Sequence, residues 1–180
     1  MIKLSDYVVR FLEDRGIKHI FTLSGGGCLH LVDSVGKSNL KYVCNLHEQA
    51  VAIAGEAYAQ YTNKPSVCLV TTGPGGTNTI TGVASAWLDS IPMIMISGQV
   101  QSKDMKGLRR VRQIGFQEID IVSIVKPITK YAQIVKDPNM IKVILETAYR
   151  KASTGRQGPV WIDIPLDVQA AMIDPDQILS

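Results

Sequence analysis

Apolar residues along this 180-residue chain come in short unbroken runs, separated by stretches with helical spacing. Residues 4–15 place Val8, Val9, Phe11 and Leu12 on one helical face, with Ser5 able to cap the segment and Gly16 able to stop it. Runs at 19–21, 40–44, 66–70, 92–96, 127–133 and 160–164 predict strands. Between them the pattern predicts helices over 28–35, over 47–61, from the glycine turn after residue 70 through 87, and over 138–151. The strand runs are apolar throughout rather than alternating, as in strands covered on both faces. Strand and helix recur in order, so the expected fold is α/β: a doubly wound, mainly parallel six-stranded sheet with helices on both faces. Residues 1–168 are expected to form one domain. Residues 169–180, with Asp174-Pro175-Asp176, read as the start of a linker toward further domains.

Composition narrows the class. An apolar fraction of 46% with 19% charged residues is that of a soluble globular protein. The net charge of +3 is spread along the chain and forms no basic stripe, so nucleic acid is not an expected partner. The longest apolar runs are far too short to cross a bilayer, and the N-terminus has no apolar signal core, so neither membrane nor export is expected. Cys28, Cys44 and Cys68 form no C-x-x-C pair, which argues against a disulfide framework or a zinc site and for a reducing cytoplasm.

Three features carry candidate chemistry. Gly73-Pro74-Gly75-Gly76-Thr77-Asn78 lies where a strand hands over to a helix, and its backbone N–H groups can face an anion or a polar ring. No Lys follows these glycines, so it is not a P-loop, and G-x-G-x-x-G spacing is absent. Ser24-Gly25-Gly26-Gly27 also follows a strand, which puts both loops on the carboxyl edge of the sheet, where α/β ligands bind. Glu48, in Leu46-His47-Glu48-Gln49, opens a helix on that same edge; a first-turn Glu is commonly just a favourable charge on the helix dipole. Cys28 and His30 point in different directions and read as packing, and His19 and His47 lack metal-ligand spacing. Lys103, Lys106, Arg109, Arg110 and Arg112 read as a solvated loop or, alternatively, as recognition of an acidic group.

LHEQAVAIAGEAYAQ, LVTTGPGGTNTITGVASAWLDSIPMIMISGQV, GFQEIDIVSIVKPITKYA and STGRQGPVWIDIPLDVQ follow one another over about residues 17–169. In that order they resemble the N-terminal domain of acetolactate synthases and related thiamine-diphosphate carboligases and decarboxylases. The resemblance implies that Glu48 hydrogen-bonds N1′ of the cofactor's aminopyrimidine and favours the imino form that deprotonates the thiazolium carbon. It implies that Pro74 and Asn78 line the pyrimidine pocket, that Gly25 and Gly26 lie near the reaction centre, and that Gln117 is a catalytic-site amide. Arg156 matches an Arg that contacts FAD in flavin-bearing members. The substrate implied is a 2-oxo acid such as pyruvate, and the assembly a homodimer or tetramer. The family's Gly-Asp-Gly and Asn-Asn signature for diphosphate and magnesium does not occur here, so the magnesium ligands are expected in a further C-terminal domain and this chain alone is expected to be inactive. Leu23-Ser24 replaces the family's Tyr-Pro before the glycines, and Gln101 and Gln157 replace two of its prolines. These departures fit a relative with a different acceptor. Two other readings of the residues remain: a nucleotide-binding module, for FAD or another nucleotide, and a non-catalytic dimerisation domain.

Overall fold

A computed structural model describes residues 1–178. In chain order its elements are β1 (Ile2–Lys3), α1 (Leu4–Asp14), β2 (His19–Thr22), α2 (Leu29–Gly36), β3 (Lys41–Cys44), α3 (Glu48–Thr62), β4 (Ser66–Val70) and α4 (Pro74–Thr77). The second half adds α5 (Ile80–Leu88), β5 (Met93–Gln99), α6 (Ile121–Val125), β6 (Tyr131–Ile134), α7 (Ile141–Ser153), β7 (Pro159–Pro165), α8 (Leu166–Ala170) and β8 (Met172–Ile173). Six strands form one all-parallel sheet in the order β3-β2-β4-β5-β7-β6. The expected α/β sheet with helices on both faces is the one observed.

The apolar strand runs serve two cores at once because successive side chains point to opposite faces. Ile20, Val67, Leu69, Ile94, Ile96, Val160 and Ile162 pack with α1, α2 and α7 on one face. Phe21, Cys68, Val70, Met93, Met95 and Trp161 pack with α3, α5 and α6 on the other. On that second face α3 and α5 touch closely. A Cβ placed on Gly82 would stand 2.6 Å from the Cβ of Ala52. The half-way point of α3 is tied across by Ser85 Oγ, which donates to Glu56 Oε1 at 2.7 Å.

Three expectations need correction. Ser5 does not cap α1: Lys3 holds that position, and Ser5 is buried, accepting a hydrogen bond from Ser34 Oγ on α2. The strand expected over 127–133 begins only at Tyr131, because Lys126–Ile128 makes a 3-10 turn with Pro127 inside it. Helix α6 was not anticipated; Asp120 caps it, accepting from the Ser123 N–H at 3.1 Å. The residues read as linker pack on the domain as far as they are described. β8 pairs antiparallel with β1, and Ile173 and Ile178 join the first core. Leu179 and Ser180 lie outside the described residues.

One charged side chain interrupts β7. Asp163 is 1% exposed. It accepts from Ser97 Oγ at 2.6 Å and from Gln99 Nε2 at 2.9 Å, while Trp161 Nε1 donates to Ser97 Oγ at 2.8 Å. Burial pushes its carboxyl up to about 6, opposed by those two hydrogen bonds and aided by the nearby Asp120.

Two outcomes are expected. Gly82→Ala should force α3 and α5 apart and destabilise the chain by about 1–3 kcal/mol in urea unfolding. Asp163 makes stability depend on pH. Its folded pKa lies above the unfolded value of 3.8, so the folded state holds the proton better between these values. Stability from this group is therefore full below about pH 4, falls as pH rises through about 6, and is flat above. Asp163→Asn should remove that decline, which is of order 3 kcal/mol, in unfolding curves taken across the window.

Candidate active site

All strands of the main sheet run the same way, so the segments following β2, β3, β4 and β5 meet on one edge. His47 stands at the N-cap of α3 in extended geometry, and its Nδ1 accepts the Gln49 N–H at 3.1 Å. This turn presents Glu48 as the first helical residue, half-buried. Asn78 Nδ2, just beyond α4, donates to Glu48 Oε2 at 2.9 Å. The other oxygen, Oε1, faces the glycine loop, where a Cβ on Gly75 would stand 3.5 Å away. Pro74, exposed, opens α4 beside it.

The two glycine loops close on each other rather than on open space. Their common neighbour is Thr71. Cβ atoms on Gly25 and Gly75 would come within 2.5 and 2.6 Å of its Cγ2, and one on Gly27 within 2.8 Å of its Oγ1. The Gly27 N–H donates to that hydroxyl at 2.9 Å. Gly26 alone among the three in the first loop has nothing within 4 Å of where a Cβ would be. The site therefore has an opening at Gly26 and a packed floor at Thr71.

Gln117 is brought to the same place by a different contact. Its backbone carbonyl lies against Gly73, whose φ of +64° and lack of a side chain permit the approach. Gln117 itself has φ +61°, a left-handed conformation that is uncommon for a residue other than Gly. With Gly26, Gly27, Thr72, Gln99 and Phe116 it lines a cavity of about 340 Å³. Gly25, Gly26, Glu48, Pro74, Asn78 and Gln117 thus lie on one edge: the carboxylate borders the Thr71–Gly76 loop at Gly75, and the cavity borders it at Thr72.

Arg156 is not with them. It precedes β7, at the opposite edge of the sheet, where its Nε donates to Ser90 Oγ at 2.8 Å and its Nη2 to the Leu88 carbonyl at 3.4 Å. There it lines a separate cleft with Trp87, Leu88, Lys130 and Gln157. Of the basic loop, Lys103, Arg109, Arg110 and Arg112 are exposed, and none lines the Gln117 cavity. Cys28 is fully buried and burial pushes its thiol up to about 11, which leaves it unreactive packing. Among the described residues no three His, Cys, Asp or Glu side chains gather as metal ligands, and no helix is long and apolar enough to cross a membrane.

Sequence reasoning missed Thr71, Gln99 and Asp163. Asp163 alone left a signal, as the single charge in the apolar run Val160-Trp161-Ile162-Asp163-Ile164.

Residues 2–124 match the family described as thiamine pyrophosphate enzyme, N-terminal TPP binding domain. The chain is 41% identical over 165 residues to an acetolactate synthase large subunit of Buchnera aphidicola, covering 91% of this chain and 28% of that protein. It is 38% identical over 171 residues to the Escherichia coli acetolactate synthase isozyme 1 large subunit, covering 94% of this chain and 29% of the relative. It is 37% identical over 175 residues to the chloroplastic acetolactate synthase of Arabidopsis thaliana, covering 97% and 25% respectively. The chain thus spans under a third of the length of these relatives. On the family match and the carboxyl-edge geometry together, this chain belongs to the thiamine pyrophosphate enzymes, as their N-terminal cofactor-binding domain.

Proposed function

We propose that this chain is the pyrimidine-side domain of a thiamine-diphosphate-dependent 2-oxo acid carboligase or decarboxylase of the acetolactate synthase kind. The observation that carries this is the Glu48 carboxylate at the first turn of α3, with Oε2 held by Asn78 and Oε1 turned to the glycine loop. That arrangement fits an aminopyrimidine, whose ring nitrogen needs a carboxyl group to share a proton. When bound, the cofactor supplies the carbon nucleophile for the keto carbon and holds the electrons left by departing carbon dioxide.

Glu48 holds and passes the proton through Oε1. The Asn78 N–H fixes the carboxylate plane. Gly26 keeps the approach to the site free of side-chain atoms, and Pro74 forms the rim of the pocket. Gln117 offers an amide to the oxygens of a 2-oxo acid such as pyruvate in the adjoining cavity. Magnesium and the diphosphate would be held by segments that the relatives have beyond the region matched here, so this chain alone is inactive. FAD, if used, would contact Arg156 at the far edge. In the flavin-bearing members this chain resembles, the flavin is largely structural, and the place of Arg156 on the edge opposite Glu48 fits that. Three unpaired cysteines support a cytoplasmic location.

The nucleotide-module reading is disfavoured by Thr71, which fills the space that the glycines leave for a phosphate. The dimerisation reading describes part of the same proposal. Ala50, Ile53, Ala57 and Tyr61 form an exposed, largely smooth stripe along α3, with Leu88 of α5 also exposed on the same side of the sheet. Such a face suits close helix packing across a two-fold axis in a homodimer, or in a tetramer built from two.

In the enzyme that carries this chain, supplied with thiamine diphosphate, magnesium and pyruvate, Glu48→Gln should slow carbon dioxide release by at least about 100-fold. A rate within a few-fold of wild type would remove Glu48 from the mechanism. Sedimentation velocity of the chain should show dimers that dissociate on dilution; a monomer even at high concentration would count against the α3 interface.

A further inference from the structure

Behind the Gln117 cavity lies a buried polar network that the reaction itself does not use. Gln99, at the end of β5, is 1% exposed. Two backbone groups fix which way its amide points: the Val100 N–H donates to Oε1 at 3.0 Å, and Nε2 donates to the Ile119 carbonyl at 3.0 Å. The remaining capacity is then determined. Nε2 gives its second hydrogen to Asp163 Oδ2 at 2.9 Å, and Oε1 accepts from Thr72 Oγ1 at 2.7 Å. On the far side, Trp161 Nε1 can only donate, so Ser97 Oγ receives it and turns its own hydrogen to Asp163 Oδ1. Two donor relays, from Thr72 through Gln99 and from Trp161 through Ser97, end on Asp163, whose two oxygens both accept.

The two ends of this network flank one residue. Ile119 lies two positions after Gln117, and Thr72 precedes the Gly73 against which the Gln117 carbonyl packs. Gln99 therefore grips the chain on both sides of the Gln117–Gly73 contact. Gln117 sits there at φ +61°, and such a backbone persists only where its surroundings over-determine it. We propose that Gln99, oriented by Asp163, is a positioning residue that holds Gln117 in its left-handed conformation at the site. An amide is required because the position needs two donors and two acceptor sites at once, which neither a carboxylate nor an apolar residue supplies. The catalytic consequence rests on the reading of Gln117 as an active-site amide; the positioning does not.

The test has an arm for each. In a crystal structure of the chain, Gln99→Met should let Gln117 leave the left-handed region and open its contact with Gly73, with the Asn78–Glu48 bond intact. In the enzyme carrying the chain, kcat should fall by about 100-fold with little change in KM for pyruvate. Should Gln99→Met not fold, Gln99→Glu keeps the shape but loses the donor. At neutral pH its carboxylate would face Asp163 and release Gln117; once protonated it regains one donor, enough for Asp163 or the Ile119 carbonyl but not both, and restores the wild-type state only in part. The backbone amide resonance of Gln117 should report this as a pH-dependent shift larger than the one that titration of Asp163 gives in wild type. Lys106, Glu118, Asp120 and Lys136 line the cavity shared by Gln99 and Asp163, and wild type serves as the control for their titration. Gln117 unmoved in Gln99→Met, or a Gln117 resonance in Gln99→Glu that matches wild type at both pH values, would overturn the proposal. If Glu48→Gln is silent while Gln117 moves in Gln99→Met, the positioning stands and the functional reading fails.

Discussion

The Thr71 side chain occupies the space beside three glycines from two loops, and the geometry of the carboxyl edge depends on that contact. Its methyl group leaves no room for a Cβ at Gly25 or Gly75, and its hydroxyl accepts the Gly27 N–H. The glycines thus serve close packing as well as ligand approach. Since Gly75 also borders Glu48, and Gly27 borders the Gln117 cavity, one threonine sets the distance between the carboxylate and the cavity. Neighbouring strands carry the two loops, β2 pairing β4 in parallel, so the sheet register fixes the contact before either loop does.

Two carboxylates near this edge show how environment divides their roles. Asp163 is wholly enclosed, and burial raises its pKa to about 6 even with Ser97 and Gln99 donating to it. An ionised group there is tolerable only because both oxygens are hydrogen-bonded. Its proton is thus out of reach of any substrate, and its effect is on the groups it orients. Glu48 is only half-buried: it accepts from Asn78 on one oxygen, and the other borders Gly75 with no side-chain partner among the described residues. The enclosed carboxylate holds structure and the open one is available for chemistry.

Much of this was legible in the sequence because it depends on local order. A strand followed by glycines places those glycines on the carboxyl edge of a parallel sheet, and Glu48 opens a helix just after another strand. The unbroken apolar runs predicted two covered faces, and Ile20 and Phe21 do face opposite cores. What escaped depends on long-range partners. Gln99 and Thr72 each follow an apolar run, where a polar residue reads only as the end of a strand, and they meet across 27 positions. Asp163 stood out as a lone charge, yet Ser97 and Gln99, which make it tenable, are 66 and 64 positions away. Strands of two residues, such as β1 and β8, are too short to show a period, which is why their pairing left no signal. Arg156 was assigned by resemblance to a cofactor contact. Its place before β7, rather than after a strand, already put it on the other edge.

That separation of edges bears on how much of a thiamine-diphosphate site one such domain can supply. The carboxyl edge offers a carboxylate, two side-chain amides, a packed glycine floor and a cavity, all suited to a neutral heteroaromatic ring and a small oxo acid. A diphosphate needs cations or a metal to balance its charge. The arginines after β5 are exposed and away from the Gln117 cavity, and Arg156 lies beyond the sheet. Among the described residues no three His, Cys, Asp or Glu side chains gather as metal ligands. The cofactor's two ends therefore make opposite electrostatic demands, and this chain meets the demand of only one.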